Sequence, residues 1–437
     1  MTQPQFRDMM GVFGRIGLIS FGGPAGQISL MHEEIVEKRG WVDEGQYLRA
    51  LNLCHLLPGP EAQQLATWIG WRLHGLRGGL AAGLLFVLPG ALVILGLSIL
   101  YAYAADLQWF AALFLGIKAA VLAIVAQALI RIGRRALDTR FKRLLAAASF
   151  VALFLLDLPF PLVVLGSGVL GMIVAASRPD WLGAHAKHGG ASMAAPPASR
   201  RTLVVGTIRA VLGWLLVWAA PMLAILLLLG PDHVLWRIGS FFSQLAIVTF
   251  GGAYAVLAYM AQEAVQSHHW LSAGEMADGL GLAETTPGPL IMVTQFVGFL
   301  GAFRAPDPFS PLAAGMIGAA LTTWVTFAPC FLWIFALAPW MERLERAPRL
   351  QGGLAALTAA VVGVIANLAL WFALHVLFRA VGEGRFGPLR LYLPDWQSFD
   401  WRAGLLGVAA AILLFRFKLG VLPLLGIAAG AGLLLSV

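Results

Sequence analysis

The feature that most constrains this chain is a succession of apolar stretches, each about as long as a helix that crosses a lipid bilayer. A bilayer core roughly 30 Å thick requires about 20 apolar residues per helix. Of the 437 residues, 59% are hydrophobic and only 12% are charged, whereas soluble domains carry about 25% charged residues. So few charges cannot cover the surface of a soluble protein of this length. The sequence therefore predicts an all-α polytopic membrane protein, with the lipid bilayer as its surroundings.

The apolar stretches divide the chain into about 13 membrane segments. They lie at 10–31, 47–71, 79–104, 108–130, 144–158, 160–177, 203–230, 238–262, 275–300, 312–338, 352–378, 401–415 and 419–436. Glycine and proline interrupt some of these segments. The interruptions predict broken helices within the membrane.

Two halves of the chain share a pattern. Phe21-Gly22-Gly23 recurs as Phe250-Gly251-Gly252, and in the same register Pro58-Gly59-Pro60 recurs as Pro287-Gly288-Pro289. A shared register over several motifs indicates a duplicated unit. We predict two repeats of six segments each.

The division of the chain follows from these repeats. The first repeat occupies 1–177, a cytoplasmic linker 178–202, an extra connecting span 203–230 and the second repeat 231–437. Because the extra span has no counterpart in the first repeat, it reverses the second repeat in the membrane. Inverted repeats with broken helices at matching positions are typical of secondary transporters, whose site lies near the bilayer midplane.

Basic residues in the loops predict the orientation, because lysine and arginine concentrate in cytoplasmic loops. The arginine-rich loop 131–143 and the linker 178–202 fall on the same side as the N-terminus. The N-terminus is therefore expected in the cytoplasm and the C-terminus in the periplasm. These loops account for the net charge of +8, and no nucleic-acid partner is predicted.

The duplicated breaks are the candidate substrate site. Backbone N–H groups freed by a break, together with the N-terminus of a half-helix, can bind an anion. Two alternatives stay open: the glycines allow close helix packing, and the prolines produce kinks that face a neighbouring helix. The predicted substrate-binding residues are Arg15, Gly22, Gly23, Pro24, Pro58, Gly59, Pro60, Gln63, Lys118, Gly251, Gly252, Thr285, Thr286, Pro287, Gly288 and Pro289.

Ionisable residues inside membrane segments are costly and usually functional. Lys118 lies near the centre of its segment, where its side chain is least able to reach an interface, whereas Arg15 has the alternative of snorkelling to the membrane surface. The predicted proton-coupling residues are Glu34, His55, Glu61, Glu263 and Glu284. Glu284 beside its Pro-Gly-Pro is the preferred candidate. The alternative is that Glu284 caps the N-terminus of a half-helix.

These motifs resemble the long-chain chromate ion transporters. The resemblance rests on Phe21-Gly22-Gly23-Pro24, Trp41, the run from Leu57 to Ala66, Phe250-Gly251-Gly252 and the run from Ala283 to Pro289. It implies a protein of the bacterial inner membrane that exports chromate, in competition with sulfate, driven by the proton-motive force. Chromate, sulfate and protons are then the expected partners, and neither a cofactor nor a metal is implied.

An enzyme is the alternative from a different class. A membrane-embedded enzyme acting on a lipid or polyprenyl phosphate would also use buried cations and opened backbone N–H groups. The sequence offers little support for it: His32-Glu33-Glu34 lacks the second histidine of a helical zinc site. We therefore expect no enzyme activity, and flux that follows an imposed gradient distinguishes the two classes.

The predicted topology can be tested with reporter fusions. A reporter after Val437 should appear in the periplasm, and one inserted within 185–199 should appear in the cytoplasm, because the arrangement of basic loops sets the orientation. Both reporters on the same side of the membrane would contradict the inverted-repeat arrangement.

Overall fold

The computed structural model describes residues 4–21, 23–105, 107–183, 200–250, 253–345 and 347–435. Most of these residues are helical. The helices are α1 (Phe6–Ile19), α2 (Gly23–His32), α3 (Glu44–Leu56), α4 (Glu61–Ala104), α5 (Gln108–Ala136), α6 (Arg140–Phe154), α7 (Phe160–Ser177), α8 (Arg200–Leu229), α9 (Val234–Val248), α10 (Ala253–Gln262), α11 (Ala273–Thr285), α12 (Val293–Arg304), α13 (Pro311–Leu337), α14 (Met341–Glu345), α15 (Pro348–Leu377), α16 (Trp401–Phe415) and α17 (Val421–Leu434).

Six helices in the described part of the chain are long and apolar enough to cross a membrane: α4, α5, α7, α8, α13 and α15. Shorter apolar helices include α9, α16 and α17. The expectation of an all-helical, polytopic membrane protein is therefore confirmed at this level. The number of membrane segments and the inverted arrangement of the repeats stay predictions.

The interrupted segments each form two short helices. The chain leaves the helical conformation at Ser20 between α1 and α2, at 57–60 between α3 and α4, and at Thr249 between α9 and α10. It does so again at 286–289 after α11. The helices α1, α2, α3, α9, α10, α11 and α12 are each shorter than the roughly 20 residues that a spanning helix needs.

The long helix α4 is itself two antiparallel helices. Non-helical dihedral angles at His74 and Gly75, with φ +61° at Gly75, turn the chain back on itself. As a result Gly70 and Gly78 face each other, and a Cβ added to Gly70 would lie only 2.2 Å from the carbonyl oxygen of Gly78. The short helix 61–73 therefore packs against the long helix 76–104.

The second half of the chain contains the same arrangement. There α12 packs along α13, and Gly298 and Gly318 make the close contact. A Cβ on Gly318 would lie 2.4 Å from the carbonyl oxygen of Gly298. The glycines of both hairpins are needed because the two backbones approach within van der Waals contact.

One helix of each half packs in the other half. Helix α5 packs on α16 and α17, while α15 packs on α6 and α7. Small residues permit both contacts: a Cβ on Gly116 would lie 1.8 Å from the carbonyl oxygen of Ala428, and one on Gly171 would lie 2.4 Å from Cβ of Ala356. The two halves are thus interlocked rather than placed side by side.

A β-hairpin joins α15 to α16 and was not predicted from the sequence. Its strands β1 (Val381–Phe386) and β2 (Leu389–Pro394) pair antiparallel. Buried Arg390 attaches the hairpin to the loop after α6, where its Nη1 lies 2.6 Å from Oδ1 of Asp157. Most of the predicted linker, 184–199, lies outside the described residues.

Candidate functional site

The Pro-Gly-Pro break of each half is hydrogen-bonded to the first broken helix of the other half. The backbone N–H of Gly59 donates to the carbonyl oxygen of Thr249 at 2.8 Å, and that of Gly288 donates to the carbonyl oxygen of Ser20 at 2.9 Å. The register that pairs Gly59 with Gly288 also pairs Ser20 with Thr249. The two hydrogen bonds are therefore reciprocal, as a two-fold relation between the halves requires.

Only glycine fits at the centre of each break. Gly59 has φ +113° and Gly288 has φ +100°, values that residues with a side chain rarely adopt. Space is also absent: a Cβ on Gly59 would lie 2.8 Å from Sγ of Cys330, and one on Gly288 would lie 3.1 Å from Cα of Gly90. Both N–H groups are already bonded, so in this conformation neither is open to a substrate.

A small cavity lies where the breaks meet. It is lined by Pro24, Gln27, Pro60, Glu61, Ala62, Pro289, Leu290 and Ile291. These residues belong to the N-termini of α2 and α4 and to the 3₁₀ turn Leu290–Met292 that leads into α12. Each helix N-terminus carries about half a positive charge, so the cavity is suited to an anion.

The cavity is too small for an oxyanion in this conformation. It encloses about 10 Å³, roughly the minimum for one water molecule. A tetrahedral oxyanion has four oxygen atoms around its central atom and does not fit. The helices around the breaks must move apart before such an ion can enter.

Three buried glutamine side chains surround the breaks. Gln27 donates from Nε2 to the carbonyl oxygen of Gly288 at 2.5 Å, and Gln64 donates to that of Pro58 at 2.7 Å. Gln63 donates to the hydroxyl of Thr67 at 3.2 Å. The side-chain oxygens of all three glutamines lack a hydrogen-bond partner among the described residues. Sequence reasoning selected Gln63 but missed Gln27 and Gln64.

The carboxyls and the imidazole at the breaks differ between the halves. Glu61 is the first residue of α4, and its Oε2 atom lies 3.1 Å from Nδ1 of His55. Glu284 corresponds to His55 in the register of the two repeats. It is buried and accepts a hydrogen bond from the hydroxyl of Tyr254 at 2.9 Å. Because Glu284 lies at the C-terminal end of α11, the alternative that it caps a helix N-terminus is wrong.

The hydroxyl groups that were predicted to bind the substrate donate hydrogen bonds to the protein backbone. Thr285 donates to the carbonyl oxygen of Leu282 at 2.8 Å, and Thr286 donates to that of Ala283 at 3.4 Å. Both bonds close the last turn of α11. These hydroxyls therefore hold the end of the helix in this conformation.

Lys118 has a buried counter-ion that the sequence did not reveal. Its Nζ lies 3.1 Å from Oδ1 of Asp278 in α11. The other carboxylate oxygen of Asp278 accepts a hydrogen bond from the hydroxyl of Tyr101 at 2.7 Å. The three side chains connect α5, α11 and α4.

Other predicted residues lie apart from the small cavity. Arg15 is exposed on α1 and makes no hydrogen bond or ion pair with the described residues. Glu34 pairs with Lys38 at 2.8 Å and with Arg39 at 2.5 Å. Glu263 lines a separate cavity of about 410 Å³ beside the β-hairpin.

Several predictions are not addressed by the structure. Gly22, Gly251 and Gly252 lie outside the described residues. Gly23 begins α2 with φ +68°, and its neighbour Pro24 lines the small cavity. Within the described part of the chain, no group of three or more histidine, cysteine, aspartate or glutamate side chains could hold a metal ion.

The apolar helices and the paired breaks around a buried polar site define a multi-pass membrane protein. The model of the family described as "Chromate transporter" matches residues 7–172 and 236–434, which is most of the sequence. The chain belongs to the chromate transporter family, and membership of this family supports chromate transport.

The chain is also similar to individual transport proteins. It is 30% identical over 411 residues to a chromate transport protein of Pseudomonas aeruginosa, covering 91% of this chain and 88% of the relative. It is 28% identical over 374 residues to a chromate transport protein of Cupriavidus metallidurans, covering 85% and 84%. A probable chromate transport protein of Synechococcus elongatus is 28% identical over 363 residues, covering 81% of each. No solved structure matches the chain significantly.

Replacing Gly59 or Gly288 by leucine should abolish transport. A side chain at either position is strained by the positive φ and would collide with Cys330 or with Gly90. The measurement is flux of labelled chromate into vesicles, with the amount of folded protein determined by size-exclusion chromatography. Gly230→Leu is the matched control, because Gly230 also has a positive φ of +85° but open space around it. Wild-type flux in the Gly59 variant would contradict a role for the break.

Proposed function

We propose that this protein is a secondary transporter that exports chromate across the bacterial inner membrane, driven by the proton-motive force, with sulfate as a competing substrate. The observation that carries the proposal is the convergence of helix N-termini on one small cavity between the two breaks. Helix N-termini bind oxyanions through free N–H groups and the helix dipole. The names of the relatives supply the identity of the anion.

The membrane potential favours this direction of transport. The cell interior is held at a negative potential, so the free energy of a dianion falls when it leaves the cell. The decrease is about 4.6 kcal/mol per 100 mV, at about 2.3 kcal/mol for each charge. For export, release of the anion to the outside is therefore more important than tight binding of the anion. The two-fold related breaks are suited to this task, because opening toward either side disturbs equivalent contacts.

Glu61 is the proposed proton site next to the anion. Its carboxylate lines the small cavity and would repel an oxyanion there, and repulsion between like charges is strong in a region of low dielectric constant. A proton on Glu61 removes that repulsion, and His55, 3.1 Å away, is placed to exchange the proton. Anion binding and protonation of Glu61 therefore favour each other. A dianion that leaves together with one proton still carries one net negative charge outward, so the electrical component of the proton-motive force drives this export.

The function is tested by flux measurements on purified protein in proteoliposomes, with the pH gradient and the voltage set separately. We expect labelled chromate to move with the imposed voltage and unlabelled sulfate to compete. If the purified protein instead hydrolyses a lipid phosphate in a metal-dependent reaction and shows no flux, the enzyme alternative is favoured. The relatives are named transport proteins, which supports the transporter.

Glu61→Gln should remove the pH dependence of anion binding. The part of the pH dependence that Glu61 confers should be absent from the variant, because glutamine cannot gain or lose a proton. Equilibrium binding of labelled chromate across the pH range measures the effect. Glu37→Gln serves as the control, because the Glu37 side chain is 61% exposed and lies outside the cavity. An unchanged pH profile in Glu61→Gln would contradict the assignment.

Glu284 is proposed as a second proton site that acts on conformation. Its carboxyl joins α11 to α10 through Tyr254, outside the small cavity. Glu284→Gln should therefore bind and exchange chromate like the wild type but lose accumulation driven by a pH gradient. If accumulation driven by the pH gradient persists in this variant, Glu284 has no part in coupling.

A further inference from the structure

The ion pair between Lys118 and Asp278 lies at the contact between the two repeats. Lys118 belongs to α5 of the first repeat and Asp278 to α11 of the second. Their side chains are 22% and 10% exposed, so both charges are largely withdrawn from solvent. Asp278 is seven residues before the end of α11, roughly 10 Å along the helix from the Pro-Gly-Pro break.

Close backbone packing fixes the pair in place. Gly281, one turn after Asp278, faces α5, where a Cβ would lie 2.6 Å from Cγ2 of Ile117 and 3.9 Å from Cγ2 of Val121. Asp278 and Gly281 share a face of α11, because residues three apart are neighbours on a helix. Helix α11 therefore presents Asp278 directly to Lys118.

The geometry of the pair is that of a replaceable contact. Oδ1 of Asp278 lies 3.1 Å from the ammonium but accepts no well-aligned hydrogen bond among the described residues. Oδ2 is held by the hydroxyl of Tyr101 at 2.7 Å. An ammonium has three donors and no preferred plane, so an oxyanion can take the position of Oδ1. Tyr101 would then retain the displaced carboxylate.

The pair has no counterpart in the other half of the molecule. In the register of the repeats, Thr358 corresponds to Lys118 and Arg49 to Asp278. A contact needed only to join the repeats would be expected twice, as the hydrogen bonds of Gly59 and Gly288 are. A single pair, roughly 10 Å along α11 from the break, is better explained by a role in handling the anion.

We propose that Asp278 is an internal counter-ion: it pairs with the ammonium group of Lys118 when no anion is bound, and the transported oxyanion displaces it from that ammonium group. This inference rests on the proposed function and adds a residue that sets anion affinity. Asp278 competes with the substrate, so it weakens binding and speeds release. The neutral resting pair also spares the empty transporter an unpaired buried charge, which is costly.

The test is equilibrium binding of labelled chromate to the purified full-length protein at fixed pH. Asp278→Asn should bind chromate about tenfold more tightly, because the competing carboxylate is gone, and Lys118→Gln should bind about tenfold more weakly. The double variant should match Lys118→Gln. Glu275→Gln is the control: it removes a negative charge from the same helix, and glutamine also satisfies the capping box that Glu275 forms with Ser272.

A merely structural pair predicts a different pattern. In that case each single variant loses binding and thermal stability together, and the double variant regains both, which would overturn the inference. Unchanged affinity in Asp278→Asn would overturn it as well. A wild-type protein that binds no oxyanion would instead contradict the proposed function.

Tyr101→Phe keeps every charge and tests the inference if Asp278→Asn does not fold. Without the hydroxyl, the displaced carboxylate has lost its second partner, so Asp278 should hold Lys118 more firmly and chromate should bind several-fold more weakly. Binding equal to the wild type would contradict the exchange. Thermal stability in the presence and absence of sulfate shows whether the variant is folded.

Discussion

The structure depends on two backbone hydrogen bonds, from Gly59 to Thr249 and from Gly288 to Ser20. A helix that breaks inside a membrane must satisfy its freed N–H and C=O groups within the protein, because lipid offers no partner. Here the break of each half supplies the donor that the other half needs. Neither half can complete its own broken helices, which gives a physical reason for the two halves to pack together.

Whole helices are also exchanged between the two halves, and this exchange limits how the molecule can move. Helices α5 and α15 each pack in the opposite half, with glycine contacts too close for sliding. We infer that these helices form a fixed frame. The movable parts are then the short helices at the breaks. They are joined by the two backbone hydrogen bonds and by the Gln27 side chain, around a cavity of about 10 Å³. Opening of the site requires the separation of these hydrogen bonds rather than of the two halves.

The breaks themselves could be predicted from the sequence, because proline lacks an N–H group and ends a helix wherever it occurs in this spacing. Their partners could not, since a hydrogen bond between distant backbone groups leaves no residue pattern. The turn at Gly75 could also be predicted, because Arg72, His74 and Arg77 interrupt the apolar pattern between the predicted segments 47–71 and 79–104. Asp278 was missed because it stands near the polar start of the predicted segment 275–300, where an acid is ordinary. Only the packing of α11 on α5 shows that it faces Lys118.

A symmetric backbone carries unequal chemistry in its two halves. In the common register the following residues correspond: His55 and Glu284, Glu61 and Leu290, Lys118 and Thr358, Arg49 and Asp278. In the proposed transporter, equivalent backbone contacts would give the outward-open and inward-open arrangements similar energies. The titratable and charged side chains would then determine on which side an anion is held and on which it is released. A duplicated chain therefore gains direction by the divergence of a few buried polar side chains, while the glycines and prolines of the breaks stay alike.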